Sequence, residues 1–98
     1  MAFAIELSPG AREHLKALRK RDQQIIVDAM AVQLIQQPNE PTRNRKRLAD
    51  NKLAPWELRV GDFRVFYDID LPEERVVILA IGHKVHDSLR IGGEEIEL

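Results

Sequence analysis

The residues best suited to chemistry are cations in the second half of the chain. Arg59 and Arg64 flank a Gly-Asp pair, and His83 and Lys84 follow an apolar run. Arginine offers fork-shaped donors to a phosphate, and a histidine or lysine can move a proton when its pKa lies near neutrality. RNA cleavage without a metal needs little more, because the 2′-hydroxyl of the substrate is the nucleophile.

A β-hairpin must position the two arginines. The segments Trp56–Val60 and Phe63–Asp70 alternate in hydrophobicity, and the Gly-Asp pair between them is typical of a two-residue loop with positive φ angles. This pairing makes one side of the hairpin apolar and places Arg59 opposite Arg64 on the other. Facing like charges destabilise a ladder unless an anion lies between them. The alternative is that both arginines extend into water beside neighbouring carboxylates.

A further strand is predicted over residues 76–81, which are apolar at every position, as is typical of a central strand. Pairing it antiparallel to Phe63–Asp70 brings Arg64 near the end of this strand. The register decides whether His83 or Lys84 shares a face with Arg64, and the sequence leaves both registers open. The candidate catalytic residues are therefore Arg59, Arg64, His83 and Lys84.

Residues 39–55 are predicted to form a long loop that Leu48 and Leu53 anchor to the sheet. Loops longer than about 12–15 residues in a compact domain are usually functional or disordered. This one carries a basic block that could bind RNA. Its members are Arg43, Arg45, Lys46, Arg47 and Lys52. The alternative is a solvated loop whose charge maintains solubility.

The first half of the chain is expected to supply a scaffold. Residues 3–7 alternate as a short strand, and Ser8-Pro9 marks the start of a helix that ends near residue 20. A second helix is predicted over residues 22–37, antiparallel to the first because the connecting turn is short. His14 lies off the apolar stripe and is expected to be exposed. These elements predict an α+β fold with a helix pair on one face of a mainly antiparallel meandering sheet.

Composition excludes several other kinds of protein. A chain of 98 residues, 44% hydrophobic and 32% charged, allows one globular domain over residues 1–98. No apolar run approaches the roughly 20 residues that span a bilayer, and the start does not resemble a signal peptide. We therefore expect a cytoplasmic protein without a membrane partner. The absence of cysteine excludes disulfides and thiol chemistry.

Motifs for cofactors and metals are also missing. The chain has neither a P-loop nor a dinucleotide glycine pattern. His83, His86 and Asp87 are close in sequence, but this spacing is weak support for a metal site, so we expect no metal and no cofactor. Gly92-Gly93 is compatible with the turn of a small hairpin whose second strand spans residues 94–98. That terminal segment is acidic, in contrast to the basic loop.

The order of strand, helix pair, basic loop and meandering strands resembles the RelE/ParE superfamily of type II toxins. The most specific stretches are RVGDFRVFY at residues 59–67 and IGHK at residues 81–84. The resemblance implies a bacterial or archaeal toxin that a cognate antitoxin holds inactive by wrapping around it and adding a strand or helix. RelE-like members cleave mRNA in the ribosomal A site, whereas ParE-like members inhibit DNA gyrase.

Roles transfer from this family residue by residue. The resemblance implies that Arg64 stabilises phosphate charge, that Lys84 is the basic residue after Gly-His, and that Arg59 is one of the basic residues on the preceding strand. Two positions differ from strongly nucleolytic members. Glu57 stands where a second lysine is often found, and Ser88 lies near the place of a frequent tyrosine.

We therefore expect a toxin that acts as a metal-independent, ribosome-dependent mRNA endonuclease and inhibits translation. Its expected partners are the ribosome, mRNA and a cognate antitoxin. The alternatives are a non-catalytic or ParE-like toxin that acts on DNA gyrase, and an attenuated RNA-binding module of the same fold. A homodimer and a toxin–antitoxin hetero-oligomer both stay open.

Overall fold

The computed structural model describes residues 2–97, in which two helices and seven strands follow one another. Their bounds are β1 (Ala4–Leu7), α1 (Pro9–Lys16), α2 (Lys20–Gln33), β2 (Arg45–Arg47), β3 (Trp56–Val60), β4 (Phe63–Asp70), β5 (Arg75–Val85), β6 (Ser88–Ile91) and β7 (Glu94–Ile96). These elements confirm the predicted α+β class and the predicted order of a strand, a helix pair and meandering strands.

The strands form one sheet in the order β2-β3-β4-β5-β6-β7, in which every neighbouring pair is antiparallel. β1 is the exception, because it pairs parallel to the first part of β5. The second part of β5 pairs with β6 instead. The long β5 strand therefore occupies the centre of the sheet, as its apolar sequence predicts.

Both helices pack on one face of the sheet. This face holds the larger core cluster, with Ala11, Ile26, Met30 and Leu34 from the helices and Trp56, Leu58, Val60, Val65, Tyr67, Val76, Ile78 and Ile81 from the sheet. The opposite face has a smaller cluster of Ala54, Phe66, Ala80 and Leu89. Leu48 and Leu53 pack against the smaller cluster, which confirms their predicted role as anchors of the loop.

The helix boundaries differ from those predicted. α1 starts as expected, with the Ser8 Oγ accepting the Ala11 N–H at 3.1 Å, but it ends at Lys16. α2 begins at Lys20 after an extended Arg19, so Asp22 lies in the first turn instead of at the cap. A carboxylate in the first turn of a helix is stabilised by the positive end of the helix dipole. Aspartate therefore suits both the first turn and the N-cap, and the prediction placed Asp22 at the N-cap.

The end of α2 is set by contacts that are distant in sequence. The helix stops at Gln33, whose carbonyl accepts a hydrogen bond from Arg45 Nη1 at 2.7 Å. The chain then turns through Pro38, whose carbonyl accepts the Tyr67 hydroxyl at 2.7 Å. Because these partners lie in the sheet, local sequence predicted a helix that is four residues too long.

Two further segments complete the sheet. The predicted loop contains the short edge strand β2, which pairs with β3. Gly92 and Gly93 both have positive φ angles, of 61° and 85°, and join β6 to β7 as predicted. Leu98, the last residue of the predicted strand, lies outside the described residues.

Candidate functional site

The turn between β3 and β4 sets the position of both central arginines. Gly61 has a φ of 58°, and Asp62 is not among the positive-φ residues of the described chain. One positive φ at the first loop position is the pattern of a type II′ turn, which suits the twist of a hairpin. Arg59 pairs directly with Arg64, so the predicted register of this hairpin is confirmed.

The register of β4 on β5 determines which residue accompanies Arg64. Arg64 pairs with Gly82, which places Lys84 on the same face of the sheet as Arg64. His83 pairs with Phe63 on the face that carries the helices, and their rings stack with centroids 4.7 Å apart. The four candidate catalytic residues are thus divided between the two faces.

The Arg64 side chain is held by its own hairpin. Nη1 donates to the carbonyl oxygens of Gly61 and Phe63, each at 2.8 Å. Nε lies 4.0 Å from Oε1 of Glu57, and only 9% of Arg64 is exposed. Since a buried charged donor requires partners, these contacts give Arg64 a structural role at the turn.

Arg64 and Lys84 line a cleft of about 350 Å³, which we call the mixed-charge cleft. The other residues that line it are Glu57, Asp87, Leu89, Ile96 and Glu97. Two basic side chains therefore face three acidic ones. Because like charges repel, this arrangement weakens the attraction between the cleft and a phosphate.

Arg59 lies instead beside a second cleft of about 330 Å³, the basic groove, which residues 41–47, Glu57 and Arg59 line. Its exposed cations are Arg43, Lys46, Arg47 and Arg59, and Glu57 is the one carboxylate among these lining residues. The Arg47 guanidinium lies 5.7 Å from the centroid of the Trp56 ring. Several exposed cations along one groove suit the phosphate backbone of a nucleic acid.

Two members of the predicted basic block have different surroundings. Arg45 is 8% exposed, and its guanidinium donates to the Glu40 carbonyl at 2.9 Å as well as to Gln33. This side chain therefore fastens β2 to the end of α2. Lys52 is exposed and lines a separate cleft that also contains Asp50 and Asp68.

His14 differs from its predicted exposure. The side chain is half-buried between α1 and β5, and its Nδ1 accepts the backbone N–H of Ile81 at 3.2 Å. Because His14 lies off the apolar stripe of α1, the sequence predicted an exposed side chain. The contact could not be predicted locally, since its partner is 67 residues away in sequence.

Residues 2–97 contain neither a cluster of metal-binding side chains nor a helix that could span a membrane. No group of three or more His, Cys, Asp or Glu side chains there is arranged to hold a metal ion. Neither α1 nor α2 has the length and apolar character that crossing a membrane demands.

Two solved complexes contain chains similar to this one. The crystal structure of the toxin–antitoxin complex RelBE2 from Mycobacterium tuberculosis includes a chain with 28% identity and a TM-score of 0.68. The similarity covers 85% of this chain and 99% of that one. The archaeal RelE–RelB complex from Pyrococcus horikoshii gives 16% identity and a TM-score of 0.64, over 88% and 99% of the two chains, and supports the fold alone.

Sequence comparison places most of the chain in one family. No curated protein matches the chain significantly. A profile described as the ParE toxin of the type II toxin–antitoxin system, parDE, matches residues 5–87. This match includes the hairpin and both central arginines, and it covers far more than half of the 98 residues. The chain belongs to the ParE toxin family of type II toxin–antitoxin systems, within the RelE/ParE superfamily.

Proposed function

We propose that this toxin arrests growth by binding the complex of DNA gyrase with DNA, and that it does not cut RNA. The observation that carries the proposal is the separation of its cations. Four exposed cations lie together in the basic groove, whereas Arg64 and Lys84 share the mixed-charge cleft with carboxylates. Binding therefore has a suitable surface, and RNA cleavage lacks one.

The mixed-charge cleft is poorly suited to RNA cleavage for two reasons. A scissile phosphate in it would meet the carboxylates of Glu57, Asp87 and Glu97. Stabilisation of a transition state with additional negative charge requires the opposite arrangement. Moreover, His83 lies on the other face of the sheet, so it cannot exchange a proton with a substrate beside Arg64.

The basic groove is suited to a DNA backbone. Arg43, Lys46, Arg47 and Arg59 are exposed at or beside the edge strand β2. Cations in such a position displace counterions from DNA, which contributes affinity without sequence specificity. Gyrase, the target that ParE-like toxins are expected to have, acts on a DNA duplex and thus presents phosphates to this groove.

A charge-neutralising pair of variants tests the groove. Lys46→Gln combined with Arg59→Gln should weaken binding of a DNA duplex and reduce the slope of log Kd against log salt concentration by about two. The control pair Arg12→Gln and Arg21→Gln removes the same charge from exposed positions on α1 and α2. Fluorescence anisotropy at several salt concentrations measures both pairs.

The same pairs connect binding to inhibition. Lys46→Gln with Arg59→Gln should raise the concentration that inhibits gyrase supercoiling by about tenfold, whereas the control pair should leave it unchanged. Equal inhibition by the two pairs would sink the assigned role of the groove.

Cleavage of translated mRNA is the second candidate function. It is favoured by one observation, since Arg59, Arg64 and Lys84 share the face opposite the helices. Lys84→Gln distinguishes the two candidates, because it should relieve growth arrest only if the toxin cuts RNA. Under the binding mechanism, this variant stays toxic.

We further propose a cognate antitoxin as the partner that holds the toxin inactive. The two similar structures are described as a toxin–antitoxin complex and as a RelE–RelB complex, which supports this partner. Copurification of the chain with the product of a neighbouring short reading frame would test it, and free toxin beside an expressed neighbour would contradict it.

A further inference from the structure

A third cleft lies on the helix-bearing side of the molecule, between α1 and the end of β5. Its volume is about 380 Å³, and we call it the histidine cleft after His14 and His83, which both line it. The cleft is also lined by Arg90, by Glu13 and by an apolar wall that includes Leu18. The ring of His83 stacks on Phe63, on the face of the sheet that carries the helices.

The hydrogen bond of His14 determines which tautomer its neutral ring adopts. Because Nδ1 accepts the N–H of Ile81, the neutral ring carries its proton on Nε2. A Cβ added to Gly92 would lie 3.6 Å from this nitrogen, so Nε2 faces the wall of the cleft that Gly92 forms. Among residues 2–97, Nε2 has no hydrogen-bond partner, which leaves its N–H free to bind a ligand.

The other two donors lie side by side. His83 and Arg90 are direct partners across β5 and β6, so their side chains share a face of the sheet. Phe63 supports the ring of His83 by stacking. Arg90 is exposed, and the described chain has no carboxylate within 4.0 Å of its guanidinium, although Glu95 is its register partner on β7. An exposed guanidinium that makes no close ion pair within residues 2–97 can bind an anion.

We infer that the histidine cleft binds a small phosphate monoester. Arg90 would pair with the phosphate, and His83 and the Nε2–H of His14 would add hydrogen bonds from two other directions. Glu13, which also lines the cleft, disfavours bare anions but can accept hydrogen bonds from hydroxyl groups, and the apolar wall beside Leu18 suits a carbon skeleton. This combination selects a nucleoside monophosphate or sugar phosphate. The inference does not depend on gyrase binding, because it uses other residues.

Backbone amide NMR on the full chain tests this inference with AMP, adenosine and inorganic phosphate as probes. AMP should shift the amides of residues 81–83 and 90–93, adenosine should not, and inorganic phosphate should bind about tenfold more weakly than AMP. Arg90→Gln and His83→Phe should each weaken AMP binding by about tenfold, because the first removes the charge that pairs with the phosphate and the second removes an N–H donor. Arg21→Gln, an exposed change on α2 outside the cleft, is the control.

Two results would overturn the inference. One is AMP binding that neither Arg90→Gln nor His83→Phe weakens in variants with native-like spectra. The other is equal binding of AMP and adenosine, which would show that the phosphate makes no difference. Either result can occur while the toxin still inhibits gyrase, so the failure of this inference is distinct from failure of the proposed function.

Discussion

Arg64 shows how one side chain can match a catalytic pattern and still have a structural role. The resemblance assigns it to phosphate stabilisation, yet its Nη1 is occupied by two carbonyl oxygens of the β3–β4 turn. Its neighbour Arg59 faces it in the register but is exposed. Identical residue types in one pair therefore have different surroundings, because one is buried against backbone acceptors and the other borders solvent.

Arg64→Ala should lower the free energy of unfolding by about 1.5–3 kcal/mol, since it removes charge-assisted hydrogen bonds and leaves two carbonyls without their donor. Arg59→Ala should change the stability by less than about 0.5 kcal/mol, because an exposed residue loses few contacts. Urea unfolding measures both variants. Equal losses would contradict the structural role of Arg64.

Arg45 and Lys46 form a similar contrast in the basic block. Arg45→Ala should destabilise the protein by about 1.5–3 kcal/mol, because its buried guanidinium joins β2 to the end of α2 and its removal leaves the acceptors there without their donor. Lys46→Ala, at the adjacent exposed position, should leave the unfolding free energy within about 0.5 kcal/mol of the original. Thermal and urea unfolding provide the comparison, and a stable Arg45→Ala variant would refute the role of this residue as a fastener.

Tyr67 should make the free energy of unfolding decrease at alkaline pH. Burial raises the pKa of its phenol, although the nearby Arg45 acts in the opposite direction. A raised folded pKa means that stability is fully present below the unfolded pKa of about 10 and is lost as the pH rises further. The unfolding free energy should therefore fall as the pH rises above about 10, and more in the original protein than in Tyr67→Phe. Parallel losses in the two proteins would be the contrary result.

At the scale of elements, a bulge in the central strands decides which residues meet. The β4–β5 pairing starts with Asp70 opposite Arg75 but shifts by one residue between Phe66 and Tyr67. Without that shift, Arg64 would lie opposite Ile81, and His83 would share its face. The bulge therefore places Lys84 beside Arg64 and sends His83 to the histidine cleft.

Sequence predicted those elements whose cause is local. The β3–β4 hairpin follows from its Gly-Asp turn and alternating flanks, and the start of α1 follows from Ser8 and Pro9. The bulge, the end of α2 and the strand β2 depend on packing between distant segments. The sequence therefore predicted which residue types could form the site but not which of them lie together. That depends on the strand register and on how deeply each arginine is buried.

A substitution at Gly82 tests how closely β5 packs against β6. A Cβ there would lie 2.9 Å from Leu89 Cδ1 and 3.0 Å from the Arg90 carbonyl oxygen. Gly82→Ala should therefore cost about 1–3 kcal/mol of stability. Gly10→Ala, in the first turn of α1 with open space around it, should be neutral or stabilise by up to about 1 kcal/mol. If both substitutions were neutral in urea unfolding, the close approach of the two strands would be wrong.

Over the whole molecule, a formal net charge of −1 conceals two opposed regions. Cations gather in the basic groove at the β2 edge, and carboxylates from β3, the β5–β6 turn and the C-terminal segment surround Lys84. Glu57 lines both clefts, so the two regions adjoin at this residue. This separation of charge favours a toxin that binds a polyanion at its edge over one that cleaves RNA in its centre.

The most direct test of that claim compares mRNA with chromosomal DNA after the toxin is induced in growing cells. Primer extension on translated mRNA and detection of gyrase-dependent DNA breaks are carried out on the same cultures. We predict intact mRNA and DNA breaks that disappear with Lys46→Gln and Arg59→Gln together. Codon-phased cuts in mRNA, with DNA unbroken, would contradict the account.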